Sequence, residues 1–147
     1  MKHIHIQIKR LDSSVDLPAY AHEADAGLDL RSNETLTIPP YGRALVSTGL
    51  AIALPQGYAG FVQPRSGMAL KQGLTIANTP GLIDAGYRGE LKVICINLDP
   101  HTEVHIERGE RIAQLVIQEV PSVVLEEVAE LDDTERGAGG FGSSGTH

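Results

Sequence analysis

Ile4, Ile6 and Ile8 alternate with polar residues at the start of the chain, the period-two signature of a half-buried strand. Similar alternations and short apolar runs recur at 35–38, 43–54 (interrupted at Gly49), 58–62, 104–106, 111–120 and 123–128. The run at 90–98 is apolar on both faces, as expected of a central strand between two layers. Between these runs stand turn formers: Pro39-Pro40-Tyr41-Gly42, Pro55-Gln56-Gly57, Asn78-Thr79-Pro80-Gly81, Asp99-Pro100 and Arg108-Gly109. Many short strands separated by regular turn signals predict an all-β protein, a sandwich, jelly roll or barrel. One short helix is expected at 66–72, with Ser66 placed to cap it and Gly73 to end it. Strand character stops near Ala129, where an acidic run (130–135) leads into glycine-rich sequence. The expected organisation is a β core over 1–128 and a flexible arm over 129–147.

Composition narrows the picture. A length of 147 residues predicts one domain, and 41% hydrophobic residues make it globular. Aromatic residues are only 4% and Trp is absent, so the core must be aliphatic. The formal charge of −7 argues against general binding to nucleic acid or to anionic membranes, and any anionic ligand must meet locally clustered cations. Cys95 is the only cysteine, which excludes an internal disulfide framework and fits a reducing compartment. The first residues lack a secretory apolar core, and no apolar run reaches membrane-spanning length. A cytoplasmic location is expected.

Five stretches carry candidate chemistry. The last twelve residues, from Arg136 to His147, hold five glycines together with Arg136, Phe141, Ser143 and Ser144. Such a segment is costly to order alone but is equipped for phosphates and a flat base, so it is either a lid that orders on binding or a loose terminus. Pro64-Arg-Ser-Gly67 places Arg65 and Ser66 at the mouth of the short helix, where they make either a phosphate contact or an ordinary helix start. The segment 77–90 reads as a long loop held in shape by glycine and proline. Within it Asn78 suits a base edge and Tyr87 a flat wall, while Asp84 is either a general base or a turn residue. Asp29, between Leu28 and Leu30, is a loop cap or a charge behind a site. Arg111 and Gln114 are three apart, hence on opposite faces of a regular strand. The six histidines show no zinc-site spacing. His3 and His5 share one strand face, as do His101 and His105 if their strand is regular.

Taken in order, these segments resemble the trimeric dUTP pyrophosphatase family, the deoxyuridine 5′-triphosphate nucleotidohydrolases. The resemblance rests on Ala26-Gly-Leu-Asp-Leu30, Pro64-Arg-Ser-Gly67, Gly81-Leu-Ile-Asp-Ala-Gly-Tyr-Arg-Gly-Glu90, Arg111-Ile-Ala-Gln114 and Arg136-Gly-Ala-Gly-Gly-Phe-Gly-Ser-Ser-Gly145. It implies a distorted jelly roll or β-sandwich of the β-clip type, a homotrimer with shared active sites, and Mg2+ carried by the triphosphate. It further implies Asp84 as the water-activating base and Tyr87 as the ring beneath deoxyribose. Asn78 matches the uracil reader, together with backbone of its own loop. Arg65, Ser66 and Gln114 match phosphate contacts. Asp29 matches a residue that helps hold the water shell of magnesium without ligating the ion. Arg136, Ser143 and Ser144 match groups on the γ-phosphate, and Phe141 the ring laid over uracil. Gly67, Gly81 and Gly142 complete the implied substrate-binding set. The implied reaction is attack of water on the α-phosphorus of dUTP, giving dUMP and pyrophosphate. That limits uracil incorporation into DNA and supplies dUMP for thymidylate synthesis.

Two other readings compete. A dCTP deaminase shares the fold, an Arg-Ser pair and the Asp-x-Gly-aromatic loop, but carries a glutamate ten positions after the loop aspartate. Here that position is Ile94. A non-catalytic β-sandwich module that binds nucleotides would be expected to have a degraded Asp84 or tail, and neither is degraded.

Overall fold

The structure is a computed structural model describing residues 1–147. Ten strands and one helix follow in the order β1 (Gln7–Arg10), β2 (Leu28–Arg31), β3 (Leu36–Ile38), β4 (Arg43–Ala53), β5 (Tyr58–Gln63), α1 (Ser66–Gln72), β6 (Leu74–Ile76), β7 (Gly81–Ile83), β8 (Glu90–Asn97), β9 (Val104–Ile106) and β10 (Arg111–Glu119). One sheet has the order β1-β4-β8-β6 and a second the order β2-β10-β5-β7, while β3 and β9 form a separate pair. All pairings are antiparallel. The result is the expected all-β, distorted jelly-roll architecture with one short helix. No helix is long and apolar enough to cross a membrane.

The layers close over an aliphatic core. Leu30, Ile38, Val46, Val93, Ile106 and Ala113 are at most 1% exposed and belong to one 17-residue cluster. Cys95 lies inside this cluster, and burial pushes its thiol up to about 12, so it is held as an inert thiol. The few buried polar groups tie elements together. Asn97 Nδ2 donates to the carbonyls of Ile38 (3.1 Å) and Thr102 (2.9 Å), and its Oδ1 accepts from Asp99 N (2.9 Å). Thr48 Oγ1 donates to Leu91 O at 2.6 Å. Every polar atom of the fully buried Asn97 amide is thereby paired, which removes the cost of its desolvation.

Several expectations are corrected. The first strand is displaced towards the C-terminus of its alternating segment, to Gln7–Arg10, and lies exposed on the sheet edge, with Ile6 just before it packed on the core. Segment 123–128 forms no strand, and Val124 and Leu125 are about 90% exposed. A short apolar run makes a strand only where an edge is offered, and nothing in the single chain pairs with this stretch. Three strands were hidden in segments too short to show periodicity: β2 overlapping the 26–30 segment, β6 after the helix stop at Gly73, and β7 within what reads as one loop over 77–90. Helix α1 runs over the expected residues and ends at Gly73 in the left-handed region (φ 71°), but its N-cap is Arg65, without a side-chain cap. Ser66 is instead the first helical residue. His101 lies in the turn before β9, so it does not share a strand with His105.

Candidate active site

Strand β10 positions the first part of the site. It is hydrogen-bonded to β2 on one side and β5 on the other, and Gln114 is paired with Asp29 and with Gln63. Between Arg111 and Ala113 the register against β2 shifts by a β-bulge. The extra residue shows in the burial: Ile112 (2%) and Ala113 (0%) are buried consecutively, which a regular strand forbids on a half-solvated sheet. The bulge therefore cancels the expected separation of Arg111 and Gln114 onto opposite faces. Both reach the surroundings of Asp29.

There the side chains interlock. Arg111 Nη1 donates to Asp29 Oδ2 at 3.3 Å, and Arg65 Nε lies 3.9 Å from Asp29 Oδ1. Arg65 Nη1 also donates to the carbonyl of Arg111 at 3.3 Å. The Asp29 side chain is 17% exposed, so this carboxylate sits between two guanidinium groups with little water around it. Gln114 Nε2 donates to Pro64 O at 3.1 Å, fixing the amide beside the Pro64–Gly67 turn. Its side chain lies over Gly27: a Cβ there would meet Gln114 Oε1 at 2.6 Å and Cβ at 3.1 Å. Ser66 and Gly67 are exposed at the start of the helix, and a Cβ on Gly67 would point into open space. Arg31, Arg65, Arg108 and Arg111 border one depression of about 510 Å3. Four arginines on one edge of a chain with net charge −7 make this the local cation cluster that an anionic ligand requires.

The sequence leaves open whether the first turn, over 11–20, touches the site, and the structure places it at the neighbouring wall. Residues between Ser14 and His22 line a cavity of about 740 Å3 together with Asp29, Arg31, Arg108 and Arg111. Arg108 staples this first loop down. Its Nη2 donates to Ser14 Oγ (2.5 Å), Asn33 Oδ1 (2.9 Å) and Asp12 Oδ2 (3.3 Å), and its Nε to Asn33 O (3.2 Å). The hydrogen bonds that Asp12 accepts from the Ser14 hydroxyl and backbone, more than the Arg108 charge, draw its carboxyl down to about 2. The Asp12-x-Ser14 turn was a legible signal, but its partner lies 96 residues away.

The second part of the site is the turn between β7 and β8. Asp84 follows the last residue of β7 and its backbone carbonyl accepts from Tyr87 N at 3.1 Å. Its carboxylate is exposed and carries no hydrogen bond within the chain. Tyr87 Oη donates to Glu90 O at 2.8 Å, and the ring lies where a side chain on Gly89 would collide with it. The tyrosine is thus held in one orientation with its face half exposed. Asn78 is exposed at the other end of β7, with its amide 3.4 Å from where a Cβ on Gly81 would lie.

Register separates the two parts. Gly81 is opposite Val62 and Ile83 opposite Gly60, so β7 carries Asp84 away from the Arg65 end of β5. Six residues of extended chain separate the level of Asp84 from Arg65, about 20 Å at strand rise. Asn78 and Gly81, by contrast, remain near Val62, at the arginine end. The third part, the tail, touches neither. Arg136 Nε donates to Gly139 O at 2.9 Å, and the other hydrogen bonds of 129–147 also run within that segment. Phe141 is fully exposed, and Gly142, Ser143 and Ser144 are exposed beside it. The last tie to the core is Val120 N to Gly57 O. No group of three or more His, Cys, Asp or Glu side chains converges as metal ligands.

The chain is thus an all-β protein with an arginine-rich, phosphate-suited edge, a lone free carboxylate in a tight turn, and an unattached glycine-rich tail. The family model described as dUTPase matches residues 13–145. The deoxyuridine 5′-triphosphate nucleotidohydrolase of Rhodococcus erythropolis (strain PR4) is 59% identical over 99% of this chain and 88% of its own. That of Thermobifida fusca (strain YX) is 56% identical over 98% of this chain and 80% of its own. Among solved structures, the dUTPase of Staphylococcus bacteriophage 80alpha with dUPNHPP superposes with a TM-score of 0.89 at 35% identity, covering 97% of this chain and 99% of that one. A mutant dUTPase from phage phi11 of S. aureus, described as coordinating a structural Mg(II) ion, gives a TM-score of 0.82 at 29% identity over 88% of this chain and 100% of that one. The chain belongs to the dUTPase family.

Gly27→Ala tests the local packing. The far amide can swing away, but Gln114 Cβ cannot without moving β10. Overpacking of this kind costs typically 1–3 kcal/mol. A melting temperature lowered together with weakened triphosphate binding is expected, and a variant indistinguishable from the parent in both would contradict the close approach.

Proposed function

We propose that this protein hydrolyses dUTP to dUMP and pyrophosphate, and that its active site is built from more than one copy of the chain. The observation that carries the reading is the free, exposed carboxylate of Asp84 on a turn that the Asp84–Tyr87 and Tyr87–Glu90 hydrogen bonds hold rigid. An aspartate acting only as a turn residue would spend its side chain on local backbone N–H groups, and this one does not. Asp84 accepts a proton from water, whose oxygen attacks the α-phosphorus. The bond from that phosphorus to the oxygen bridging to the β-phosphate breaks, and pyrophosphate leaves. Arg65, Ser66, Gly67 and Gln114 hold the phosphates. Such a reaction gains most from positioning and charge neutralisation, which the arginine edge supplies.

Tyr87 lies flat beneath the deoxyribose and leaves no room for a 2′-hydroxyl. Asn78 and the backbone near Gly81 read uracil. The residues present fit Mg2+ delivered on the triphosphate: a single low-exposure carboxylate, Asp29, cannot cage the ion but suits its water shell, since magnesium keeps several waters and takes one or two carboxylates beside substrate phosphates. The ion's contribution there is neutralisation of phosphate charge.

The chain divides into a core over 1–128 and an arm over 129–147. The arm brings Arg136, Ser143 and Ser144 to the γ-phosphate and Phe141 over uracil, with Gly142 allowing the approach. A homotrimer with shared sites accounts for the separation of Asp84 from Arg65 along β5, because one copy's turn then meets another's arginine edge. A cytoplasmic location fits the lone thiol at Cys95.

Asp84→Asn keeps the shape of the turn but cannot take the proton. Its turnover is expected to fall by roughly 10²–10⁴-fold with nucleotide binding retained; a variant keeping more than about half of the parent turnover would remove Asp84 from the role. Mixing two inactive proteins, Asp84→Asn and a chain ending at Glu135, tests the sharing. Subunit exchange should restore activity, because some sites then combine an intact Asp84 with an intact arm. No recovery after demonstrated exchange would mean that each arm serves its own chain's turn.

A further inference from the structure

We infer that Arg111 is a positioning residue of this site, acting on the phosphate-binding Arg65 through the carboxylate of Asp29. The inference rests on the reading of Arg65 as a phosphate contact. Arg111 has no place in that reading, and as a residue of a regular strand it would face away from Gln114. The bulge between Arg111 and Ala113 turns it to the Asp29 side, at the expense of burying Ile112 and Ala113 in succession.

The contacts form a closed ring. Arg111 grips Asp29 Oδ2, Asp29 Oδ1 faces Arg65 Nε, and Arg65 Nη1 returns to the Arg111 carbonyl. Arg65 stands two residues past the end of β5 and caps a helix without a side-chain hydrogen bond, so nothing in its own segment orients the guanidinium. Two contacts do so, one to the backbone of residue 111 and one to a carboxylate that Arg111 holds. A planar guanidinium must present its fork in one orientation to bind phosphate well. Removing Arg111's side chain leaves Asp29 free to rotate and to bind Arg65 more closely, out of the orientation that phosphate needs. Arg31, paired with Arg111 in the β2–β10 register, donates to Gly109 O at 2.8 Å instead of to Asp29 and cannot substitute for it.

A double-mutant cycle on the full-length protein tests this, read as the dissociation constant of a non-hydrolysable dUTP analogue and as separate kcat and KM values for dUTP. Arg111→Met alone should weaken analogue binding roughly tenfold, within the range of coupling between contacting residues. In an Asp29→Asn background, where the carboxylate no longer grips either arginine, the same change should have an effect of about twofold or less. Arg111→Lys, which keeps the charge and the chain's backbone carbonyl, should recover part of the loss. A lower melting temperature with binding unchanged would assign Arg111 to stability alone and overturn the inference. An equal loss in both backgrounds would also overturn it, by showing that Arg111 acts without Asp29. Arg65→Ala separates the two levels. If it binds the analogue as well as the parent, the phosphate reading itself has failed. If it binds poorly while Arg111 and Asp29 are uncoupled, only the positioning role has failed.

Discussion

One strand register governs the arginine edge. β10 is hydrogen-bonded on both sides, to β2 and to β5, so neither neighbour can slip without moving every side chain on that face. Its bulge at Arg111–Ala113 gives the face a composition that no regular strand of the same sequence would have. Gln114 is brought beside Pro64 and over Gly27, and Arg111 beside Asp29, while Leu115 and Ala113 stay in the core. The hydrophobic cluster thus does more than stabilise the fold. By fixing Leu30, Ala113 and Leu115 it fixes the level at which three sequence-distant segments meet.

Under the proposed mechanism, the same sheet leaves the single chain incomplete as a catalyst. β7 is antiparallel to β5, and that direction carries Asp84 away from Arg65 while keeping Asn78 and Gly81 near it. A tail hydrogen-bonded only to itself adds a third separate part. Such a division has a physical advantage under the proposed mechanism. A site that exists only when several segments converge can exclude water on closing, where every electrostatic contact strengthens. The four arginines at the edge also set a local positive charge apart from the acidic remainder of the chain, as the proposed binding of a triphosphate requires.

Much of this was legible in the sequence, for identifiable reasons. The long strands β4, β5, β8 and β10 announce themselves by apolar periodicity, and the helix by its glycine stop. The motif residues Asp29, Arg65, Ser66, Gln114 and Asp84 stand out as polar groups in otherwise patterned segments. β2, β6 and β7, of three or four residues, are too short to carry a period, so they emerge only from pairing. The bulge in β10 leaves no mark in composition, which is why Arg111 and Gln114 read as opposite-facing. Segment 123–128 has the branched apolar residues of a strand but no edge to join, a tertiary fact that local sequence cannot express. The staple of Arg108 on Asp12, Ser14 and Asn33 depends on contacts across 75 to 96 residues, so the sequence shows a turn at Asp12–Ser14 but leaves open whether the first loop borders the site.

The most direct test of the account is a product assay on the purified full-length protein with Mg2+, offering dUTP, UTP and dCTP in parallel and measuring pyrophosphate and ammonia. Pyrophosphate and dUMP released from dUTP, with UTP and dCTP far poorer and no ammonia from dCTP, is the predicted result. A site whose buried polar groups are left unpaired by the wrong ligand discriminates strongly. Comparable release from UTP would contradict the role of Tyr87. Ammonia from dCTP, or no turnover of any nucleotide by the folded protein, would contradict the assignment of the site.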